Sequence, residues 1–81
     1  MAHSATAARS RYNARMQITL NGQPRECAEP TSVAQLLDQA GYAGRRVAVE
    51  VNREIVPRSR HASHALAEGD RVEIVHAIGG G

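Results

Sequence analysis

Apolar and polar residues alternate in two stretches, one near the start of the chain and one at its end, and between them one stretch repeats at helical spacing. Met16, Ile18 and Leu20 share one face while Gln17 and Thr19 share the other, the period-2 pattern of a half-buried strand. Asn21-Gly22 follows at once and predicts a type I′ hairpin turn, whose two central residues both need positive φ. The return strand, Gln23 to Ala28, carries Pro24, which has no N–H to offer a neighbour, so this strand is predicted at a sheet edge with Cys27 facing inward. Pro30-Thr31-Ser32 opens a helix. Thr31 or Ser32 can cap it, and Ser32-x-x-Gln35 matches a capping box. Val33, Leu36, Leu37 and Ala40 fall at i, i+3, i+4 and i+7 as one apolar stripe, and Gly41 stands where a left-handed C-terminal cap belongs. The predicted helix is about ten residues long.

The next strand is predicted over Arg46 to Asn52, with Val47, Val49 and Val51 inward. A tight turn at Asn52-Arg53 leads to a short strand, Glu54-Ile55-Val56, which Pro57 ends. Residues 58–67 read as loop or a single helical turn with Leu66 tucked in, and Glu68-Gly69-Asp70 turns the chain into its last strand. There Val72 and Ile74 face one way and Arg71, Glu73 and Val75 the other. In order this is β-β-α-β-β-β. A lone helix cannot bury its own stripe, whereas a mixed four- to five-stranded sheet with one apolar face gives it a place to pack. The first and last strands are the most regular and are placed adjacent and central. The predicted class is therefore α+β with the β-grasp, or ubiquitin-like, arrangement over residues 16–76.

Composition narrows the function classes. The chain has 81 residues, enough for one domain near the lower size limit of an unstapled core. A single cysteine permits no internal disulfide and no Cys/His zinc set. There is no apolar run long enough for a bilayer and no signal-peptide segment at the start, so a reducing compartment, the cytoplasm, is expected, with no membrane partner. Two Tyr and no Phe or Trp leave the core to Val, Ile, Leu and Ala and argue against a stacking platform for nucleic acid. Lysine is absent, which excludes Schiff-base chemistry. The net charge of +2 belongs to residues 1–15, which hold Arg9, Arg11 and Arg15 and no acid; from Met16 onward seven Arg face eight Asp and Glu. Residues 1–15 are read as a disordered leader, an over-extended translation start or an expression remnant. A transit peptide would be longer, and three Arg would bind nucleic acid only weakly and at low salt.

The chemistry points to the end of the chain. After His76 come Ala77-Ile78-Gly79-Gly80-Gly81, five residues that could span roughly 17 Å when extended. Glycine costs order in a tail, but its bare backbone can thread a narrow channel and present a terminal carboxylate to another protein's active site. Residues 77–81 are therefore read as a flexible arm. Val75 is predicted as an exposed apolar residue beside it, and Arg53, Arg58 and Arg71 as cations able to meet an acidic partner surface. His61-x-x-His64 lacks a third ligand, so no metal site is assigned. Cys27 reads as a small buried hydrophobe rather than a reactive thiol. His76, at the strand end, could shuttle a proton for the arm, although the chemistry expected there belongs to partners.

The run Val47-Ala48-Val49-Glu50-Val51-Asn52-Arg53-Glu54-Ile55-Val56-Pro57-Arg58, with Gly69-Asp70-x-Val72-Glu73-Ile74-Val75-His76-Ala77-Ile78-Gly79-Gly80 downstream, resembles the ThiS family of thiamine-biosynthesis sulfur carrier proteins. The resemblance covers Met16 to Gly81 and implies a carrier rather than an enzyme. It implies that a ubiquitin-activating-like adenylyltransferase uses ATP to join AMP to the Gly81 carboxylate. A persulfide supplied ultimately by a cysteine desulfurase then yields a thiocarboxylate, and thiazole synthase takes its sulfur. By match to the motif Gly81 carries the sulfur, Gly80 and Gly79 let the arm enter, and Ile78 is the side chain partners grip; no cofactor is bound. Many members end in two glycines and this chain ends in three. The alternatives are the small subunit of molybdopterin synthase, against which VNREIVPR and the lack of Phe argue, a protein-conjugating modifier, and a nucleic-acid-binding module using the Arg-rich leader.

Overall fold

The computed structural model describes residues 14–76. The expected leader over residues 1–13 and the expected arm over residues 77–81 lie outside the described residues. Five strands and one helix follow the predicted order: β1 Arg15–Leu20, β2 Gln23–Ala28, α1 Val33–Gln39, β3 Val47–Val51, β4 Glu54–Ile55 and β5 Arg71–His76, with a 3₁₀ turn at Arg58–Arg60. The strands form one mixed sheet in the order β2-β1-β5-β3-β4. β1 and β5 run parallel, pairing Thr19 with Arg71 and Leu20 with Val72, while the other neighbours are antiparallel. β5 is thus the middle strand, adjacent to β1 as expected, and β2 is an edge.

β1 starts one residue earlier than the sequence suggests. Arg15 pairs with Ala28, and the Ala14 carbonyl accepts the Glu29 amide at 3.0 Å. Its outward side chain simply continues the alternation, so Arg15 belongs to the sheet and not to the leader expected over residues 1–15. The hairpin turn has φ of 52° at Asn21 and 83° at Gly22, the positive values a type I′ turn demands.

Ser32 caps α1, and the capping box closes: its hydroxyl accepts from the Gln35 amide at 3.1 Å and its own amide donates to Gln35 Oε1 at 2.8 Å. Thr31, the other candidate cap, is instead buried with its hydroxyl donating to the Ala28 carbonyl. The helix is seven residues long, shorter than expected, because it stops in a Schellman turn. Tyr42 N–H donates to the Leu37 carbonyl at 2.8 Å and Gly41 N–H to the Asp38 carbonyl at 3.3 Å, with Gly41 at φ 90°. The first helical amides, which have no partner inside a helix, are met by the loop: Val33 N–H by the His64 carbonyl and Ala34 N–H by the His61 carbonyl.

One face of the sheet and the inner side of α1 bury Met16, Ile18, Cys27, Val33, Leu36, Val49, Val51, Val56, Leu66, Val72 and Ile74 as a single cluster. The opposite face carries Gln17, Glu50, Glu73, Val75 and Ile55 and is covered by no other element among the described residues.

Candidate functional site

The described part of the site is the base from which residues 77–81 depart, the last turn of β5. β5 is anchored on both sides at its start. Thr19 N–H donates to the Asp70 carbonyl at 3.0 Å, and Asn52 N–H donates to the Arg71 carbonyl at 2.7 Å while Asn52 Oδ1 accepts the Arg71 amide at 3.0 Å. Asn52 Nδ2 also donates to Asp70 Oδ1 at 2.9 Å, and Asp70 Oδ2 accepts the Ala67 amide at 2.8 Å. Farther along, Asn21 N–H donates to the Val72 carbonyl at 2.9 Å and Asn21 Oδ1 accepts the Ile74 amide at 2.7 Å. These bonds fix where the strand points when it ends at His76.

At that end the inward-facing His76 pairs with Val47 and sets its ring against Tyr42, with centroids 5.8 Å apart and planes inclined at 49°. Tyr42 is held there by the Schellman turn, so the helix C-terminus and the strand end share one small platform. A groove beside it is lined by Leu37, Tyr42, Arg45, Val47, Arg58 and His61. On the other face Val75 lies opposite Ala48 and is 60% exposed, as the alternation predicts. Ile55, 63% exposed, shares that face two rungs away, and Glu50 and Glu73 stand across from each other between them.

The three arginines proposed for docking do not converge. Arg58 lines the groove at the His76 end of the sheet. Arg53 and Arg71 lie with Asn52 and Gly69 around a shallow depression at the other end of β5, about 17 Å away along the strand. Gly79, Gly80, Gly81 and Ile78 lie outside the described residues. Sequence reasoning gave no site role to Tyr42 or Arg45, and read Asn21 and Asn52 only as turn residues. The Asn residues carried a signal, since each stands at a tight turn, but their contacts to β5 are between residues 53 and 19 positions apart.

The His61-x-x-His64 motif finds a structural use. Both backbone carbonyls cap α1, and the His61 ring Nε2 is 3.0 Å from the Val56 carbonyl, so that nitrogen carries the proton and donates. Among the described residues no three His, Cys, Asp or Glu side chains come together as a metal cluster. No helix there is long and apolar enough to cross a membrane.

Cys27 is buried, 3% exposed, and burial pushes its thiol up, against the lowering pull of the neighbouring Thr31 hydroxyl and of Arg25 and Arg15. A raised thiol is a poor nucleophile at neutral pH. The folded state therefore resists ionisation that the unfolded chain accepts, and stability is full below the unfolded thiol value of about 8.5 and falls as pH climbs past it. The expected result is a urea midpoint that drops above about pH 9 in the wild type and drops less in Cys27→Ala. Equal slopes in the two proteins would show that the buried thiol does not govern alkaline stability.

A family model described as the ThiS family matches residues 18–81. Over 66 residues, 82% of this chain, the sequence is 46% identical to a thiazole synthase of Paramagnetospirillum magneticum, of whose length it spans only about a fifth, 20%. It is 36% identical over 66 residues to the sulfur carrier protein ThiS of Escherichia coli, covering 82% of this chain and 100% of that one. The crystal structure of the thiamine biosynthesis protein ThiS of Geobacter metallireducens superposes with a TM-score of 0.72 at 35% identity, covering 82% of this chain and all of the other. The β-grasp arrangement expected from the strand order is thus the fold of a similar solved protein, and the chain belongs to the ThiS family.

Proposed function

We propose that this chain is the sulfur carrier for thiazole formation in thiamine biosynthesis. The observation that carries the reading is its similarity along the entire length of a sulfur carrier protein. The family match itself runs through Gly81. A carboxylate is a poor electrophile, so a separate ATP-dependent adenylyltransferase must first convert the Gly81 carboxylate to an acyl-adenylate. The outer sulfur of a persulfide on a sulfur-donor protein then attacks the acyl carbon and expels AMP. A second thiol cleaves the S–S bond of the resulting acyl persulfide and is left as a disulfide, and the thiocarboxylate so released is handed to thiazole synthase. Similarity to a segment of a thiazole synthase supports that enzyme as the consumer, because two modules on one chain meet at high effective concentration. A process that draws on ATP and a cysteine desulfurase suits the cytoplasm.

In this division of labour the chain supplies reach and a docking face, not catalysis. Gly79 and Gly80 have no side chains to block a channel, Ile78 gives the partner one apolar side chain to hold, and Val75 lies beside the point of departure. Arg58 faces the same end and suits an acidic rim on the partner, whereas Arg53 and Arg71 would serve a second contact on the far edge. The test is the intact mass after incubation with ATP, an adenylyltransferase of this type and a sulfur donor. Exchange of one oxygen for sulfur at Gly81, followed by thiazole formation with thiazole synthase, is expected. An unchanged mass with an enzyme proven active on its own carrier would overturn the proposal.

A further inference from the structure

β5 is a central strand only over its first half. Its parallel ladder with β1 covers Arg71 and Val72 and then stops, because β1 ends at Leu20 and the chain reverses at Asn21-Gly22. From Ile74 to His76 the strand keeps β3 on one side, through Val49, Ala48 and Val47. On the β1 side, the partner of the Ile74 amide is the Asn21 side chain, at 2.7 Å. An amide N–H can only donate, so the atom it meets is the carbonyl oxygen of Asn21, not its NH₂ group. Asn21 therefore adds one rung to a ladder whose strand has already ended. Asn52 does the same at the opposite end, where its oxygen takes the Arg71 amide. Both asparagines sit at positive φ, 52° and 53°.

Resting on the carrier reading above, we infer that Asn21 is a positioning residue for adenylation: its side chain fixes the base of the C-terminal arm. Five residues beyond His76 set the reach of the arm only if the strand before them is held. With the Ile74 rung gone, β3 alone holds the last three residues of β5, and their β1-side edge is left unpaired and freer to move while the β3 ladder stays closed. A partner would then have to order those residues as well as the arm, and ordering backbone costs free energy at the moment of binding. The chemistry after binding is untouched. Such a cost raises KM and leaves kcat unaltered.

The substitution that isolates the effect is Asn21→Gly, which accepts positive φ and removes only the acceptor. Asn21→Asp keeps an acceptor oxygen and tolerates the same backbone. In steady-state adenylation with the full chain, Asn21→Gly is expected to raise KM about fivefold, the factor given by one hydrogen bond of ordinary net strength, at constant kcat. Amide exchange at Ile74 should quicken while Glu73, whose amide faces β3, stays protected. Asn21→Asp should return KM to near the wild-type value. If the wild type is adenylated and Asn21→Gly shows the same KM, or if KM, kcat and all β5 amides change together, the inference is overturned and Asn21 is only part of the turn. A wild type that is never adenylated by an active enzyme sinks the carrier reading, and this inference with it.

Discussion

Removing Gly80 and Gly81 is expected to abolish thiocarboxylate formation and to leave thermal stability where it was. The shortened chain still ends in a carboxylate, on Gly79, so the reactive group is not lost but moved. Two residues fewer withdraw it by about 7 Å along an extended path. A displacement of about 1 Å at a reacting centre can cost about 10²-fold in rate, so a shift several times larger should leave less than about 1% of wild-type modification. Stability is expected to be indifferent because β5 is held, among the described residues, by its ladders with β1 and β3 and by the Asn52 and Asn21 side chains, all of them bonds to residues upstream of the glycines. Mass spectrometry after ATP and sulfur donor, with a parallel melting curve, checks both halves. Full modification of the truncated chain would mean that the length of the arm does not set the reaction, and the position of the added sulfur would show whether the Gly79 carboxylate or another group takes it. A large fall in melting temperature would mean that the terminal glycines pack on the domain.

The sheet was legible where the pattern is local. Alternation in β1 and β5, Asn-Gly at the first hairpin and the Ser32/Gln35 capping box each rest on residues no more than a few positions apart, and each is found as read. Even the neighbouring of β1 and β5 followed from their regularity. Arg53 at φ 70° was not foreseeable from propensity, since a long side chain rarely takes that backbone; the bonds from Asn52 to Asp70 and Arg71 accompany it, and they join residues 18 and 19 positions apart. The His61-x-x-His64 spacing suggested side-chain chemistry, whereas the fold uses two carbonyls of that segment to cap a helix 28 residues upstream, and Leu66 N–H donates to the Thr31 carbonyl beside them. For the site, Val75 could be read from the strand alone, because its exposure depends only on which face it takes. The separation of Arg58 from Arg53 and Arg71 could not, because it depends on how β3, β4 and β5 are laid side by side.

Leu36→Ala is expected to leave the domain largely unfolded at 37 °C. Leu36 is 0% exposed, at the middle of a helix whose seven residues include one other fully buried side chain, Val33. A helix so short is not stable alone in water and exists because its apolar stripe is covered. Truncating a buried Leu to Ala costs about 2–5 kcal/mol, the larger values applying where neighbours cannot close the cavity. A domain of this size holds about 5 kcal/mol in total, so most of its stability is at stake. Little can move in to fill the space, since Val49, Val72 and Val33 around the same core are themselves fully buried and short. The loss also reaches the end of β5. When α1 loosens, the Leu37 carbonyl that holds Tyr42 moves, and Tyr42 supports the His76 ring at the end of β5. Carrier activity should therefore fall in step with the folded fraction measured by urea denaturation, and it should recover at low temperature or with a bound partner, which favours the folded state by mass action. A midpoint lowered by less than about 1 kcal/mol equivalent would show that the sheet and the loop at 61–66 hold the domain without α1.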